Sequence, residues 1–177
     1  MKRLISVIRY LSEIIDDSCA MSIYNAYIFP HIKYGIELYG TAKPIHLNKV
    51  QVLQNKLLKI LFKRNKRDSP RELLKEKGIL NCRNLNKYFL LLFIYKQQNN
   101  LLPVVFRNYF THTSETHNYE TRQRNNIHIS YCRTDIGQTS TCYFGAKLWN
   151  SLPVKIKEST SLSIFKTKCK NYLLPAQ

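Results

Sequence analysis

The stretch from Lys43 to Lys77, KPIHLNKVQVLQNKLLKILFKRNKRDSPRELLKEK, is the part of this sequence that says most about its fold. After Pro44, a residue that suits the first turn of a helix, apolar side chains recur at intervals of three or four residues. This interval brings them onto one face, and it therefore predicts a long amphipathic helix. The predicted apolar face comprises Leu47, Val50, Leu53, Leu57 and Leu61.

The same stretch is strongly basic, with 11 Lys and Arg residues against three acidic ones. Lys49, Lys56 and Lys63 follow one another at intervals of seven residues, a spacing that places them in one stripe beside the apolar face. Lysines arranged in this way can contact phosphates along a nucleic-acid backbone without reading the bases. The alternative is that they only keep a helix face soluble. The predicted phosphate contacts are Lys49, Lys56, Lys59, Lys63, Arg64, Lys66 and Arg67.

The composition of the whole chain points in the same direction. Its 177 residues weigh 20.9 kDa, 44% of them are apolar, and the formal net charge is +17 with a pI near 9.8. The apolar content excludes wholesale disorder, collagen and coiled-coil rods. Such a charge excess favours a polyanionic partner, most often nucleic acid, although a basic surface without that role stays an alternative.

Further helices are predicted on both sides of this stretch. Apolar spacing predicts one near the amino end, a break and cap at Asp16-Asp17-Ser18, and a second helix that kinks or stops at Pro30. A loop is predicted around Gly35 and Gly40. The run Ser69-Pro70-Arg71-Glu72 is close to a capping box, and Gly78 is predicted to close that helix in the left-handed conformation. Another helix contains Leu85, Phe89, Leu92 and Tyr95 and ends near Asn99-Asn100.

The carboxy-terminal part has a different character. Residues 111–126 contain no aliphatic side chain and read as an exposed loop, whereas Ile127, Ile129 and Tyr131 alternate with polar residues as in a strand. A final amphipathic helix is predicted over 162–173, with Ile164, Phe165 and Leu173 inward. The fold class is thus mainly α: a helical module over 1–105, then a smaller, loop-rich extension over 106–177 with a short strand pair and a terminal helix.

The sequence contains little evidence for catalytic or metal-binding residues. Asp16-Asp17 lacks a strand–turn–strand context, which favours helix capping over metal binding. No zinc-ligand spacing links His112, His117 or His128 to Cys132 or Cys142, and no phosphate-binding glycine loop occurs. We therefore predict no enzyme activity in this chain, no metal and no cofactor.

Five widely spread cysteines without a motif favour free thiols in a reducing compartment. The apolar runs are shorter than the roughly 20 residues of a membrane helix, and no signal-peptide cleavage site follows the amino-terminal segment. We expect an intracellular protein without a membrane partner, and leave open whether it is nuclear or cytoplasmic.

Aromatic residues are numerous, with 12 Tyr, 8 Phe and one Trp. Some of the tyrosines lie among arginines, a mixture suited to stacking on unpaired bases, although tyrosines can equally fill a small core. These tyrosines are Tyr109, Tyr119, Tyr131 and Tyr143, and the arginines are Arg107, Arg122, Arg124 and Arg133. Trp149 is expected in the core because Leu148 and Leu152 flank it.

Five segments, in order, resemble the region after the palm in reverse transcriptases of non-LTR (LINE-like) retrotransposons, at the jockey and CR1-like end of that group. Three occur in the second half: His117 to Arg122, the run Gly145-Ala146-Lys147-Leu148-Trp149-Asn150-Ser151-Leu152-Pro153, and the helix from Ser161 to Leu174. The earlier two are Tyr24 to Gly35, with its Pro30-His31 pair, and Leu53-Gln54-Asn55-Lys56.

This resemblance implies a thumb and carboxy-terminal extension of an RNA-directed DNA polymerase. Such a thumb packs along the template–primer duplex, so the lysines chosen above would contact RNA, DNA or their hybrid. The family's polymerase aspartates belong to an aromatic-Ala-Asp-Asp motif, which Asp16-Asp17 does not match. Two alternatives stay open: a protein–protein module that binds another element-encoded protein, and a decayed transposon remnant without selected function.

Overall fold

The computed structural model describes residues 4–116 and 126–174, and this part of the chain is mainly α-helical. It packs as two compact units, one of described residues up to Leu85 together with Leu174, the other of described residues within Asn86–Leu173. Packing units need not coincide with functional domains, so the division between residues 105 and 106 stays a prediction.

The first unit contains six helices and the start of a seventh among its described residues. They are α1 (Leu4–Ile14), α2 (Asp17–Ile23), a π-helical turn (Tyr24–Ile28), α3 (Phe29–Lys33), α4 (Ile36–Tyr39), α5 (Pro44–Leu61), α6 (Pro70–Glu76) and α7 (Cys82–Gln98). The second unit continues α7 and adds a 3-10 turn (Val104–Phe106), α8 (Thr113–Thr116), α9 (Asp135–Gln138), α10 (Thr141–Asn150), α11 (Val154–Lys157) and α12 (Leu162–Leu173).

Helix α5 is the centre of the first unit, and it contacts α1, α6 and the π-helical turn. Its predicted apolar face is confirmed: Leu47, Leu57 and Leu61 are buried, while Val50 and Leu53 are half-buried. Leu58, which the pattern left out, is buried beside them. This burial positions the opposite face of α5, with its lysines, toward solvent.

A buried polar network ties α5 to its neighbours. Gln54 is fully buried, and its Nε2 donates to the Tyr24 hydroxyl at 3.0 Å and to the Leu80 carbonyl at 3.1 Å. Its Oε1 accepts from Gln51 at 3.0 Å and from the Cys82 thiol at 3.4 Å. All of its polar atoms are therefore satisfied, as a side chain without contact to water requires.

The predicted helix ends are confirmed in two places. Asp16 caps α2 by accepting from the Cys19 N–H at 2.9 Å, and this hydrogen bond lowers the pKa of Asp16. Gly78 follows α6 with φ of 60°, and the next N–H, of Ile79, reaches back to the Leu74 carbonyl. This is the Schellman arrangement that favours glycine.

Three other predictions concern helix boundaries, and two of them, the capping box after Ser69 and the loop between Gly35 and Gly40, are wrong. Ser69 precedes α6 with Pro70 at its first position, but its side chain makes no capping bond, so the capping box is not formed. Pro30 was predicted to kink or stop its helix, and of these two outcomes the stop does not occur. The π-helical turn directly before it widens the backbone spacing, and helical structure continues from α2 to Lys33. The segment between Gly35 and Gly40, predicted as a loop, contains the short helix α4.

The second unit has an aromatic core. Tyr95 of α7 stacks on Phe165 of α12 with ring centroids 4.2 Å apart, and the Trp149 ring lies 6.0 Å from Phe165. Trp149 is thus a core residue, as predicted, and the bounds of α12 agree with the predicted helix. Ile164 was expected to point inward, but it is exposed, and Cys169 is buried instead.

The predicted strand pair is not observed. In the described residues around Ile127, the sheet-like pairing is an isolated antiparallel bridge between His112 and Ile127. The bridge uses the backbone groups of Asn126 and His128. On the opposite edge, the Asn150 side chain takes both backbone groups of Ile127: Oδ1 accepts from its N–H and Nδ2 donates to its carbonyl, each at 2.9 Å. A strand therefore cannot pair with Ile127 on that edge.

Among the described helices, none is both long and apolar enough to cross a bilayer.

Candidate nucleic-acid interface

The outer face of α5 carries Lys49 and Lys56. Both are exposed, and seven residues of helix separate them by about 10 Å along the axis and about 20° around it. Val52 and Ile45 share this face and are also exposed. The face therefore combines two cations with two apolar side chains that no described residue covers.

The carboxy-terminal end of α5 is shaped by Lys63. This residue has φ of 52°, in the left-handed region. The Arg64 N–H donates to the Lys59 carbonyl at 2.8 Å and the Lys63 N–H to the Ile60 carbonyl at 3.2 Å, which is again the Schellman pattern. Here a lysine occupies the position that usually holds glycine, and the chain turns sharply into the exposed segment Lys63–Arg67.

Two predicted phosphate contacts also brace this turn. The Lys59 ammonium donates to the Lys66 carbonyl at 2.7 Å, and the Lys63 ammonium donates to the Ile15 carbonyl, just after α1, at 3.2 Å. Each ammonium has three donors and bonds here to a neutral carbonyl, so each retains its charge and can still bind an anion.

Arg64 differs from the other predicted contacts because it has a carboxylate partner. Its guanidinium lies 2.5 Å from the Glu76 carboxylate, and Glu76 also contacts Lys77 at 3.1 Å. Lys77 makes a further ion pair with Asp17 at 2.6 Å, and these hydrogen bonds raise the pKa of Lys77. The charge of Arg64 is thus compensated within the first unit.

The remaining cations have no such partner in the part of the chain that is described. No carboxylate there lies within ion-pair distance of Lys49, Lys56, Lys66 or Arg67. Six of the seven predicted residues therefore carry uncompensated charge: Lys49, Lys56, Lys59, Lys63, Lys66 and Arg67.

The other candidate residues from the sequence, metal ligands and base-stacking aromatic residues, lie outside α5 and the turn after it. In the described ranges, no group of three or more His, Cys, Asp or Glu side chains could hold a metal ion. His117, Tyr119, Arg122 and Arg124 lie outside the described residues, as does the segment from His117 to Arg122 that carries part of the family resemblance. Tyr109, Tyr131 and Tyr143 line one cleft of the second unit, together with His128, Cys132 and Cys142.

The structural roles of two residues that hydrogen-bond to distant parts of the chain were not predicted from the sequence. Gln54 lies in a predicted helix and Asn150 in a segment for which no helix was predicted, and each satisfies groups far away in the chain. Their distant partners give no local signal. The segments that resemble the reverse-transcriptase family contain both residues, but the resemblance assigns them no role.

Comparison with known proteins gives a partial similarity. The RNA-directed DNA polymerase from mobile element jockey of Drosophila melanogaster is 42% identical over 41 residues. These residues are 23% of this chain and 4% of that protein, so the match spans a small fraction of the relative's length. No protein-family model and no solved structure matches the chain. The chain thus has a distant, partial relation to a jockey reverse transcriptase.

Proposed function

We propose that this chain is a carboxy-terminal, thumb-like part of a jockey-like reverse transcriptase and that it contacts template–primer nucleic acid through α5 and the turn after it. The observation that carries this proposal is a set of exposed cations without a carboxylate partner among the described residues: Lys49 and Lys56 on the exposed face of α5, and Lys63, Lys66 and Arg67 in the turn after it. The partial similarity to the jockey polymerase supports the same reading. The whole enzyme would be an RNA-directed DNA polymerase, whereas the role of this part is binding.

The proposed contact is made to phosphates. The spacing of Lys49 and Lys56, about 10 Å, corresponds to about three steps of a duplex strand. Val52, between them on the same face, offers apolar contact to sugars. Nothing in this arrangement reads bases, so we expect little sequence preference.

The proposal predicts a steep salt dependence. Neutralising four to six phosphates gives a slope of log binding constant against log salt of roughly −3.5 to −5.5 on a duplex. Filter binding of an RNA–DNA hybrid over a salt series measures this slope. A slope near zero would contradict the proposal.

Two variants with the same net charge test whether α5 and the turn after it form the binding surface. Lys49→Gln, Lys56→Gln and Lys66→Gln together remove three cations from the proposed surface, and should reduce the magnitude of the slope by about 2.7. The control variant removes three exposed lysines of the second unit, Lys147, Lys166 and Lys170, and so has the same net charge. Equal losses in both variants would show that binding follows net charge and not this helix.

The exposed apolar side of α1 favours a second candidate, a protein–protein module. Val7, Tyr10 and Ile14 lie on one face at helical spacing, and each is more than half exposed. Binding through this face would persist at high salt, since apolar contact does not depend on counterion release. The salt series therefore separates the two functions.

A further inference from the structure

The second unit contains a cleft that the function proposed above does not use. Its volume is about 380 Å³, and it lies between the segment after α7 and the start of α10. Three of the tyrosines singled out in the sequence, Tyr109, Tyr131 and Tyr143, line it although they are far apart in the chain. Its volume falls within the range of roughly 300–1,000 Å³ that is usual for small-ligand sites.

One wall of the cleft is held in place by an aromatic cluster. The Tyr109 ring makes edge contacts with Phe93, Phe106 and Phe110, with centroids 5.1 to 6.1 Å away. The pKa of Tyr109 is raised to about 12, chiefly by a hydrogen bond with the Cys142 thiol and to a smaller extent by burial. The ring is thus fixed and stays neutral, while 40% of the residue is still exposed.

The other walls are aromatic or polar, and His128 is among their residues. Tyr131 is 92% exposed, a large ring with almost no cover from the described residues. Ser130 and Thr111 add hydroxyl groups, and no Lys, Arg, Asp or Glu side chain lines the cleft in the part of the chain that is described. A cleft lined by aromatic rings and hydroxyl groups in this way suits a flat, uncharged ring with hydrogen-bonding edges.

We propose that this cleft binds an unpaired nucleobase of single-stranded RNA or DNA by stacking on Tyr131, the most exposed of its tyrosines. The proposal rests on the nucleic-acid contact proposed above and adds a second site to it. Aromatic clefts can also bind proline-rich peptides, but a chain of net charge +17 attracts a polyanion far more strongly than a neutral peptide. Stacking is tolerant of sequence, because every base has a π-face.

The test compares two single strands that have the same phosphates. One is an oligothymidylate, and the other is an abasic strand of equal length. At low salt we expect the protein to bind the oligothymidylate about tenfold more tightly, a preference within the usual range for one stacked base.

Tyr131→Ala should abolish this preference and leave binding of the abasic strand and its salt dependence unchanged. Tyr131→Phe should keep it, since the ring is retained. Tyr172→Ala removes an exposed tyrosine of α12 outside the cleft and should also keep it. Because Tyr131 is so exposed, its substitution does not threaten the fold.

The outcomes separate this proposal from the one on which it rests. Equal, salt-dependent binding of both strands would overturn the base-binding cleft and leave the phosphate contact of α5 standing. Failure to bind either strand at low salt would overturn both. A base preference that survives Tyr131→Ala would place the stacking elsewhere and overturn the assignment to this cleft.

Discussion

Asn150 shows at the scale of one residue how a side chain can replace a strand. It makes two hydrogen bonds of 2.9 Å to the backbone of Ile127, which is itself buried. An amide suits this position because it both donates and accepts. The bonds join residues 23 positions apart and hold the segment that begins at residue 126 against α10.

We predict that Asn150→Asp destabilises the protein by about 1–3 kcal/mol, the usual cost when a buried acceptor loses its partner. The carboxylate can still accept from the Ile127 N–H, but it cannot donate to the Ile127 carbonyl and repels it. Urea unfolding followed by far-UV circular dichroism measures the change.

Asn108→Asp is the matched control for this variant, because Asn108 is exposed and the charge change is the same. If both variants unfold at the same urea concentration, the two bonds of Asn150 contribute nothing to stability.

Residues with local roles could be predicted from the sequence, and residues with distant partners could not. Asp16 as a cap and Gly78 in the left-handed conformation were correct, because each role depends on neighbours within a few positions. In the sequence, neither Gln54 nor Asn150 has a neighbour that would reveal its partners. Their roles appear only when the chain brings Tyr24, Leu80 and Ile127 to them.

At the scale of the element, the end of α5 places Lys63, a proposed phosphate contact, in an unfavourable conformation. Lys63 has φ of 52°, where a side chain with a Cβ is strained and glycine is not. The same geometry at the end of α6 is occupied by Gly78, and at the end of α7 by Asn100, the residue types that tolerate it. Lysine at this position is thus explained better by its charge than by the backbone.

This comparison predicts opposite effects of one substitution on stability and on binding. Lys63→Gly should stabilise the protein by about 0.5 kcal/mol, because relief of strain outweighs the greater entropy of the unfolded chain. It should also weaken binding to the RNA–DNA hybrid and reduce the magnitude of the salt slope by about 0.9. Urea unfolding and filter binding measure the two effects.

Lys63→Gln separates charge from conformation, because it removes the cation but keeps the strain. It should weaken binding to the same extent without the gain in stability. A stabilised Gly variant that binds as tightly as the unmodified chain would remove Lys63 from the proposed surface.

Long elements with a regular apolar period were the most predictable. Helices α5, α7 and α12 follow the expected spacing, because burial of one face over several turns leaves a clear pattern. The four-residue helices α4, α8, α9 and α11 are too short to show a period. The strand pair was inferred from alternation alone, which cannot reveal that a side chain already occupies the backbone of Ile127.

At the scale of the whole molecule, the five free thiols fall into two classes. Cys82 and Cys169 are fully buried, one in each unit, and burial raises the pKa of each to about 12. Cys19 and Cys142 are exposed, and Cys132 is half-buried. Thiolate is the reactive form, so the two buried cysteines should be protected in the native protein.

We predict that a thiol-specific reagent at pH 8 modifies three cysteines of the native protein and all five after denaturation. Mass spectrometry of the labelled peptides identifies them. Rapid labelling of Cys82 in the native protein would contradict the buried network around Gln54, of which this thiol is a member.

The buried thiols of Cys82 and Cys169 make the stability of the protein depend on pH. Their native pKa lies above the ordinary value of 9.0, so the native state holds protons that the unfolded state releases. Their contribution to stability is complete below about pH 9 and is lost as the pH rises toward 12. Substitution of both by alanine would flatten this loss, at the cost of two small cavities.

The charge of the whole chain indicates a class of partner, a polyanion, but it does not indicate where such a partner would bind. The excess of +17 is visible in the composition, and the spacing predicts a stripe of Lys49, Lys56 and Lys63, of which Lys63 lies beyond the end of α5. The cleft of the second unit could not be predicted as a site, because Tyr109, Tyr131 and Tyr143 come together only through the fold.

The position of Trp149 decides what an optical measurement on this protein can report. It is the one tryptophan in the sequence, and it lies beside Phe165 in the core of the second unit. Intrinsic tryptophan emission therefore follows the packing of α10 against α12 and carries no direct signal from α5. Val52→Trp, at an exposed position between Lys49 and Lys56, would give the proposed binding helix an emission of its own, which bound bases could quench.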